Sequence, residues 1–81
     1  MTIELLLFAS LREACGTDRS LVDADDDANV AQIAAGFFAA RGVDAATLPP
    51  YRFAVNESFV SADHVPGEGD RVAVLAPFAG G

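Results

Sequence analysis

The chain has 81 residues, enough for one domain. Its twelve acidic residues face five arginines and no lysine, and the formal net charge of −7 disfavours nucleic-acid binding, which requires a basic face. A single cysteine excludes an internal disulfide framework, and no apolar run approaches the ~20 residues that a membrane span requires.

The first predicted element is a strand over residues 2–9 with two apolar faces. Its odd positions form one face and its even positions the other: Ile3, Leu5 and Leu7, then Glu4, Leu6 and Phe8. Two-sided hydrophobicity is typical of a central, parallel strand. The same stretch lacks the length and the basic flank of an export signal, so we expect a cytoplasmic protein.

Residues 10–16 are predicted to form a short turn or helical stub that stops at Gly16, followed by a strand over residues 17–24. The clearest element is a helix from Val30 to Arg41. Its apolar residues recur at helical spacing: Val30, Ile33, Ala34, Phe37 and Phe38. Asn29 is the predicted N-cap and Gln32 its capping-box partner, while Arg41 and Gly42 suit the helix end.

The second half of the chain is predicted to be mostly strand. A loop over residues 43–50 leads to short strands at 52–55 and 58–60, joined by a tight turn at Asn56-Glu57. Turn residues at 66–70 precede a final strand over 71–76. This order of elements indicates an α+β fold with the main helix packed on one face of the sheet.

No internal active site is predicted. Cys15 and His64 lie in different segments, and one cysteine with one histidine cannot complete a zinc site. The aspartates of residues 23–27 lack the spacing of a calcium-binding loop and suit the solvated start of a helix. We therefore expect no metal and no cofactor bound by this chain.

The remaining chemical feature is the Gly80-Gly81 end. A terminal glycine carboxylate on a side-chain-free arm can be activated as an acyl-adenylate and threaded into a narrow site on another protein. The arm from Ala76 onward reaches roughly 20 Å at ~3.3 Å per residue, and Pro77 stiffens its root. The alternative is a frayed end without function.

Several short segments together match one family. They are Leu-Phe-Ala-Ser-Leu-Arg-Glu at residues 7–13 followed by Gly16, Val55-Asn56, Asp63-His64, Gly69-Asp70, and the ending at 76–81. Over its whole length the chain resembles the small subunit of molybdopterin synthase, a MoaD-type sulfur carrier. It departs from that family at Ala76, where many relatives carry a second proline.

The resemblance implies a ubiquitin-like β-grasp fold: a mixed sheet of four to five strands, with the first and last strands paired in parallel at its centre. Residues 1–76 would form this domain and residues 77–81 an extended tail. The resemblance also implies that an ATP-using enzyme adenylates the Gly81 carboxylate, which then becomes a thiocarboxylate. Docked on the large synthase subunit, it would donate sulfur to cyclic pyranopterin monophosphate. The chain would have no catalytic activity alone.

The partner interface is predicted at one end of the sheet. Under parallel pairing, Phe8 and Leu75 lie together, away from the face assigned to the helix. The resemblance implies that these positions, with Phe59, contact the large subunit and the activating enzyme. Phe78 is predicted as a further anchor. The alternative is that Phe8, Phe59 and Leu75 fill a second small core.

Three other functions remain open. A sulfur carrier for thiamine thiazole synthesis would typically be shorter and would lack the segment at residues 10–16. A ubiquitin-like modifier would join Gly81 to target proteins by isopeptide bonds, although without lysine it could not build chains on itself. A plain interaction domain would have an inert tail.

Overall fold

The computed structural model describes residues 1–76; the tail residues 77–81, with the predicted site residues Phe78, Gly80 and Gly81, lie outside the described part. Eight elements follow one another along the chain. They are β1 Thr2–Leu7, α1 Ala9–Cys15, β2 Arg19–Asp23, α2 Val30–Ala40, a 3-10 turn Ala45–Thr47, β3 Arg52–Val55, β4 Ser58–Val60 and β5 Arg71–Leu75. Within residues 1–76, no helix has the length and apolarity to cross a membrane.

The five strands form one mixed sheet in the order β2-β1-β5-β3-β4. The only parallel pair in this sheet is β1 with β5, in which Leu5 lies beside Val72 and Leu7 beside Val74. The other three neighbouring pairs are antiparallel. The first and last strands therefore pair in parallel inside the sheet, and the predicted β-grasp fold is confirmed.

The segment after β1 differs from its prediction. β1 ends at Leu7 rather than at Ala9, and the predicted stub is a seven-residue helix. The chain leaves the sheet at Ala9, whose φ of +52° belongs to the left-handed region that ends an extended run. Helix α1 stops as predicted at Gly16, where φ is +73° and the backbone N–H donates to the Arg12 carbonyl.

Helix α2 has the predicted caps. The Asn29 side chain accepts from the Gln32 N–H at 2.8 Å and the Gln32 side chain accepts from the Asn29 N–H at 2.9 Å. At the other end, Val43 N–H donates to the Phe38 carbonyl and Gly42 N–H to the Ala39 carbonyl, the pattern of a Schellman motif. Both ends of the helix are thus capped by residues adjacent to it in the sequence, and at the start the Ala62 and His64 carbonyls also accept from the Ala31 and Val30 N–H groups.

The core lies between the sheet and the two helices. Its buried side chains are apolar and come from every element except β2, β4 and the 3-10 turn: Ile3, Leu5, Leu7, Leu11, Cys15, Val30, Ile33, Ala34, Phe38, Phe53, Val55, Val72 and Val74. Phe38, Tyr51 and Phe53 add a chain of edge-to-face ring contacts that joins α2 to β3, with centroids 5.5 Å and 5.6 Å apart. The odd face of β1 packs on the helices, as predicted.

A hydrogen-bonded corner fixes the start of β5. Gly67 N–H donates to Asp70 Oδ2 at 2.8 Å and Asn56 Nδ2 donates to Asp70 Oδ1 at 3.1 Å. Asn56 Oδ1 in turn accepts from the Arg71 N–H at 3.0 Å. The corner joins the turn before β5 to the predicted β3–β4 turn, in which Asn56 and Glu57 both have positive φ.

This corner predicts an acid-sensitive contribution to stability. The hydrogen bond from Gly67, and next that from Asn56, lower the pKa of Asp70 below its ordinary value. A group whose pKa is lower in the folded than in the unfolded state stabilises the fold above the unfolded pKa, and this stabilisation is lost as pH falls through the folded pKa. Asp70→Ala should therefore unfold at lower denaturant concentration at neutral pH.

Urea titrations from pH 7 down to about pH 2, below the ordinary carboxyl pKa, measure this effect. Below about pH 4 the difference in free energy of unfolding between the wild type and Asp70→Ala should become smaller. Asp63→Ala, a change of the same kind in a neighbouring loop, is the control. A difference that stays constant with pH would show that the charge of Asp70 contributes nothing.

Candidate functional site

The sheet face turned away from the helices carries an apolar row. Residues that are neighbours in the strand register lie side by side on four adjacent strands: Leu6, Ala73, Ala54 and Phe59. In β1 and β5 the burial alternates, so Leu6 and Ala73 are only half-buried while the next residues along each strand are buried. Phe59, on the edge strand β4, is 72 % exposed.

Phe8 and Leu75 extend this row at one end of the sheet. Leu7 pairs with Val74, so the next residues, Phe8 and Leu75, stand beside each other. Phe8 has extended backbone and is 45 % exposed; it is the N-cap of α1, immediately before the turn at Ala9. We call these residues the open-face patch: Leu6, Phe8, Ala54, Phe59, Ala73 and Leu75.

The structure thus brings the three predicted interface residues of the domain onto one face. Phe8 and Leu75 are neighbours, and Phe59 lies two strands away from Leu75. Sequence reasoning missed Leu6, Ala54 and Ala73, which connect them. The signal for Leu6 and Ala73 was their parity in alternating strands, but Ala54 lies in a strand whose last three residues are all buried.

A charged cluster borders the patch. The Glu4 carboxylate bonds to Arg19 Nη2 at 2.8 Å and to Arg71 Nε at 3.2 Å. The three residues lie on β1, β2 and β5, on the same sheet face as the patch, next to Leu6 and Ala73. Exposed ion pairs of this kind add little stability. A polar rim beside an exposed apolar surface is, however, the usual arrangement of a protein interface.

The described chain ends beside the patch. Ala76, the last described residue, follows Leu75 directly, and the predicted functional residues Phe78, Gly80 and Gly81 come after it in the sequence. The carboxyl end of β5, at Leu75, lies beside Phe8.

Cys15 and His64 do not form a reactive pair. The Cys15 side chain is buried in the core, and burial raises the pKa of its thiol, an effect that the charge of Arg41 only partly offsets. His64 lies in the loop whose carbonyls cap α2: its own carbonyl accepts from the Val30 N–H at 2.9 Å. Over residues 1–76, no three His, Cys, Asp or Glu side chains are placed to hold a metal ion.

Comparisons with known proteins agree with this architecture. Residues 5–81 match the ThiS family. Haloferax volcanii SAMP1 aligns over all of both chains with a TM-score of 0.85 and 24 % identity. A Pyrococcus furiosus protein, provisionally described as molybdopterin converting factor subunit 1, aligns over 95 % of this chain and 98 % of its own, with a TM-score of 0.82 and 21 % identity.

A third structure is a complex of subunits 1 and 2 of the molybdopterin-converting factor from Helicobacter pylori. The chain matched there aligns over all of both chains, with a TM-score of 0.64 and 16 % identity. At these identities the three structures establish the fold. A search of curated protein sequences gave no match.

The two aromatic residues Phe59 and Phe53 provide a test of whether the patch is a surface or a second core. Phe59 is 72 % and Phe53 5 % exposed, although they lie on neighbouring strands. Phe59→Ala should lower the free energy of unfolding by less than about 1 kcal/mol, the range of strand propensities. Phe53→Ala should cost about 3–5 kcal/mol. Urea unfolding measures both, and equal losses would identify Phe59 as a core residue.

Proposed function

We propose that this chain, which belongs to the ThiS family of ubiquitin-like sulfur carriers, is the sulfur-donating small subunit of a molybdopterin synthase. The observation that carries the proposal is the extent of the family match, which runs to residue 81 and includes the Gly80-Gly81 end. Two structures of the same fold are described as molybdopterin converting factor subunits, which supports the choice of pathway.

In this function the chain supplies the Gly81 carboxylate and a folded domain that partners recognise. An activating enzyme would transfer AMP from ATP to the Gly81 carboxylate, releasing pyrophosphate. A sulfur nucleophile would then displace AMP and leave a thiocarboxylate. The chain would need no acid, base or metal of its own for these steps. In keeping with this, Cys15 is buried and His64 lies in the loop at the start of α2.

The thiocarboxylate would act inside the large subunit. Its sulfur would displace an oxygen from a carbon of cyclic pyranopterin monophosphate there, and the oxygen would leave as water or with the opened cyclic phosphate. Hydrolysis of the resulting thioester would return the Gly81 carboxylate and leave the sulfur on the pterin, and a second thiocarboxylate would supply the other sulfur of the dithiolene. The open-face patch would bind the partner outside, because Phe8 and Phe59 expose their rings there and Leu75, at the carboxyl end of β5, lies beside Phe8. Phe78, within the tail, would add a further aromatic anchor.

A second candidate is a protein modifier. One structure of the same fold is described as small archaeal modifier protein 1, from Haloferax volcanii. A modifier would use the same adenylate but pass the Gly81 acyl group to an amine of a target protein. A carrier for thiamine thiazole synthesis would share the thiocarboxylate and differ in the acceptor of sulfur.

Activation of the tail is tested by intact mass spectrometry. The chain should gain the mass difference of one sulfur for one oxygen when incubated with an activating enzyme of this family, ATP and a sulfur donor. The variant that lacks Gly80 and Gly81 should show no change. Added large subunit and pterin precursor should then yield molybdopterin. Thiocarboxylate that yields none would refute the molybdopterin proposal, and conjugates to other proteins would favour the modifier.

Docking through the open-face patch is tested with a matched pair of charge substitutions. Phe59→Asp places a carboxylate on the patch, where desolvating it in an interface is costly. Ala35→Asp places the same charge on the exposed surface of α2, on the other side of the sheet. Phe59→Asp should weaken binding to the large subunit at least tenfold in calorimetry, and Ala35→Asp should not. Equal affinities would exclude Phe59 from the interface.

A further inference from the structure

Strand β2 is an edge of the sheet with backbone groups available for pairing. Among the strands of residues 1–76, its one neighbour is β1. Met1 and Ala24 exchange both N–H···O=C bonds, and Leu7 N–H donates to the Asp18 carbonyl. Bonded pairs alternate along an antiparallel ladder, so the N–H and C=O groups of Leu21 and Asp23 point outward. In residues 1–76 they meet only one long contact, from Ser20 Oγ to the Leu21 carbonyl at 3.4 Å.

A groove runs beside this edge, between β2 and α2. Its volume is about 720 Å³, within the size range of ligand-binding clefts. Val22 in β2 and Ala24 just after it line one side of the groove, and Ile33 and Phe37 line it from the helix. Gly36 also lines the groove, and a Cβ built there would meet no atom within 4 Å, so the missing side chain leaves open space.

The strand end of the groove is acidic. Asp25 and Asp27 line it and are exposed; Asp23 adjoins it along the backbone, while its carboxylate accepts from Thr2 Oγ1 at 2.9 Å on the other face of the sheet. Among the ion pairs within residues 1–76, none involves these three aspartates, and the nearby Arg19 is paired with Glu4. Positive charge on a ligand should therefore increase its affinity for this end of the groove.

We propose that β2 and this groove bind an extended, basic segment of a partner protein as a sixth strand of the sheet. The segment would pair its backbone with Leu21 and Asp23. Alternate side chains on one of its faces would be apolar and fill the groove over Gly36, and flanking lysine or arginine residues would contact the aspartates. The exposed Leu21 side chain, 73 % accessible, would cover the other face of the added strand.

The charge of the edge disfavours a second copy of this chain as the occupant. Two β2 edges in contact would bring together two walls that each carry Asp25 and Asp27. The opposite edge strand of the sheet, β4, is only three residues long and contains Phe59, a residue of the open-face patch. The groove is also separate from the open-face patch, so this docking is independent of the proposed sulfur transfer.

The experiment uses a fluorescein-labelled synthetic peptide, Lys-Val-Ile-Val-Ile-Lys, with the full-length protein. Fluorescence anisotropy measures its affinity, and amide hydrogen exchange measures protection of Leu21 and Asp23. We expect saturable binding that weakens as the salt concentration is raised, because salt screens the attraction between the peptide lysines and the aspartates at the acidic end of the groove. The N–H groups of Leu21 and Asp23 should become protected. A peptide with glutamate in place of lysine should bind at least tenfold more weakly.

Two substitutions locate the site. Leu21→Pro removes an N–H that points outward and leaves the β1–β2 ladder intact, while Leu21→Thr keeps this N–H and removes the same apolar side chain. Gly36→Leu fills the groove and favours helix formation, so it should not unfold the protein. Leu21→Pro and Gly36→Leu should each lower affinity about tenfold relative to Leu21→Thr and the wild type.

Thermal unfolding tests whether each variant is folded. In the activation assay, Gly36→Leu should form the thiocarboxylate at the wild-type level. The proposal is overturned if Gly36→Leu and Leu21→Pro bind the peptide as the wild type does, or if both peptides bind equally. Protection of β2 that rises with protein concentration in the absence of peptide would also overturn it, because the occupant would then be a second copy.

Discussion

The parallel pairing of β1 with β5 is the contact on which the remaining structure depends. It joins residues from the two ends of the described chain, with Glu4 beside Arg71 and Leu7 beside Val74. Each strand then has a second neighbour, so both are covered on two edges and supply the centre of the core. Because the strands run in the same direction, their carboxyl ends meet at one edge of the sheet.

This geometry separates the roles of the folded domain and of the C-terminal residues that follow β5. The carboxyl end of β1 carries Phe8, and the carboxyl end of β5 carries Leu75 and the root of the tail. The patch is thereby placed beside the point at which the described chain ends and continues in the sequence to Gly80 and Gly81. In the proposed function, selectivity for a partner would reside in the folded surface, while the glycine end, which has no side chains, would enter a narrow site.

Much of the fold could be predicted from local sequence. The capping box at Asn29 and Gln32 and the apolar parity of β1 depend on residues a few positions apart, and both are present. Helix α1 was predicted only as a short turn or helical stub at residues 10–16, because seven residues are too few for a periodic pattern and its start depends on an unusual φ at Ala9.

The candidate site was only partly predictable for a related reason. Phe8, Phe59 and Leu75 were identified from parity and from the family resemblance, whereas Ala54 joins them only through the register of three strands. The groove beside β2 was not predicted at all. Its existence depends on which strand lies at the edge of the sheet, and that order is set by pairings between residues far apart in the sequence.

The β1–β5 pairing also determines when this protein can fold. The capped helix α2 can form from local contacts, but β1 lacks its central partner until residues 71–75 are available. Closing so long a loop is entropically costly and slows folding. A nascent chain on the ribosome therefore stays open until β5 has emerged from the exit tunnel. Since the diglycine follows β5 in the sequence, any chain that carries it also carries every strand of the sheet in residues 1–76, and a chain terminated before residue 71 carries neither β5 nor the diglycine.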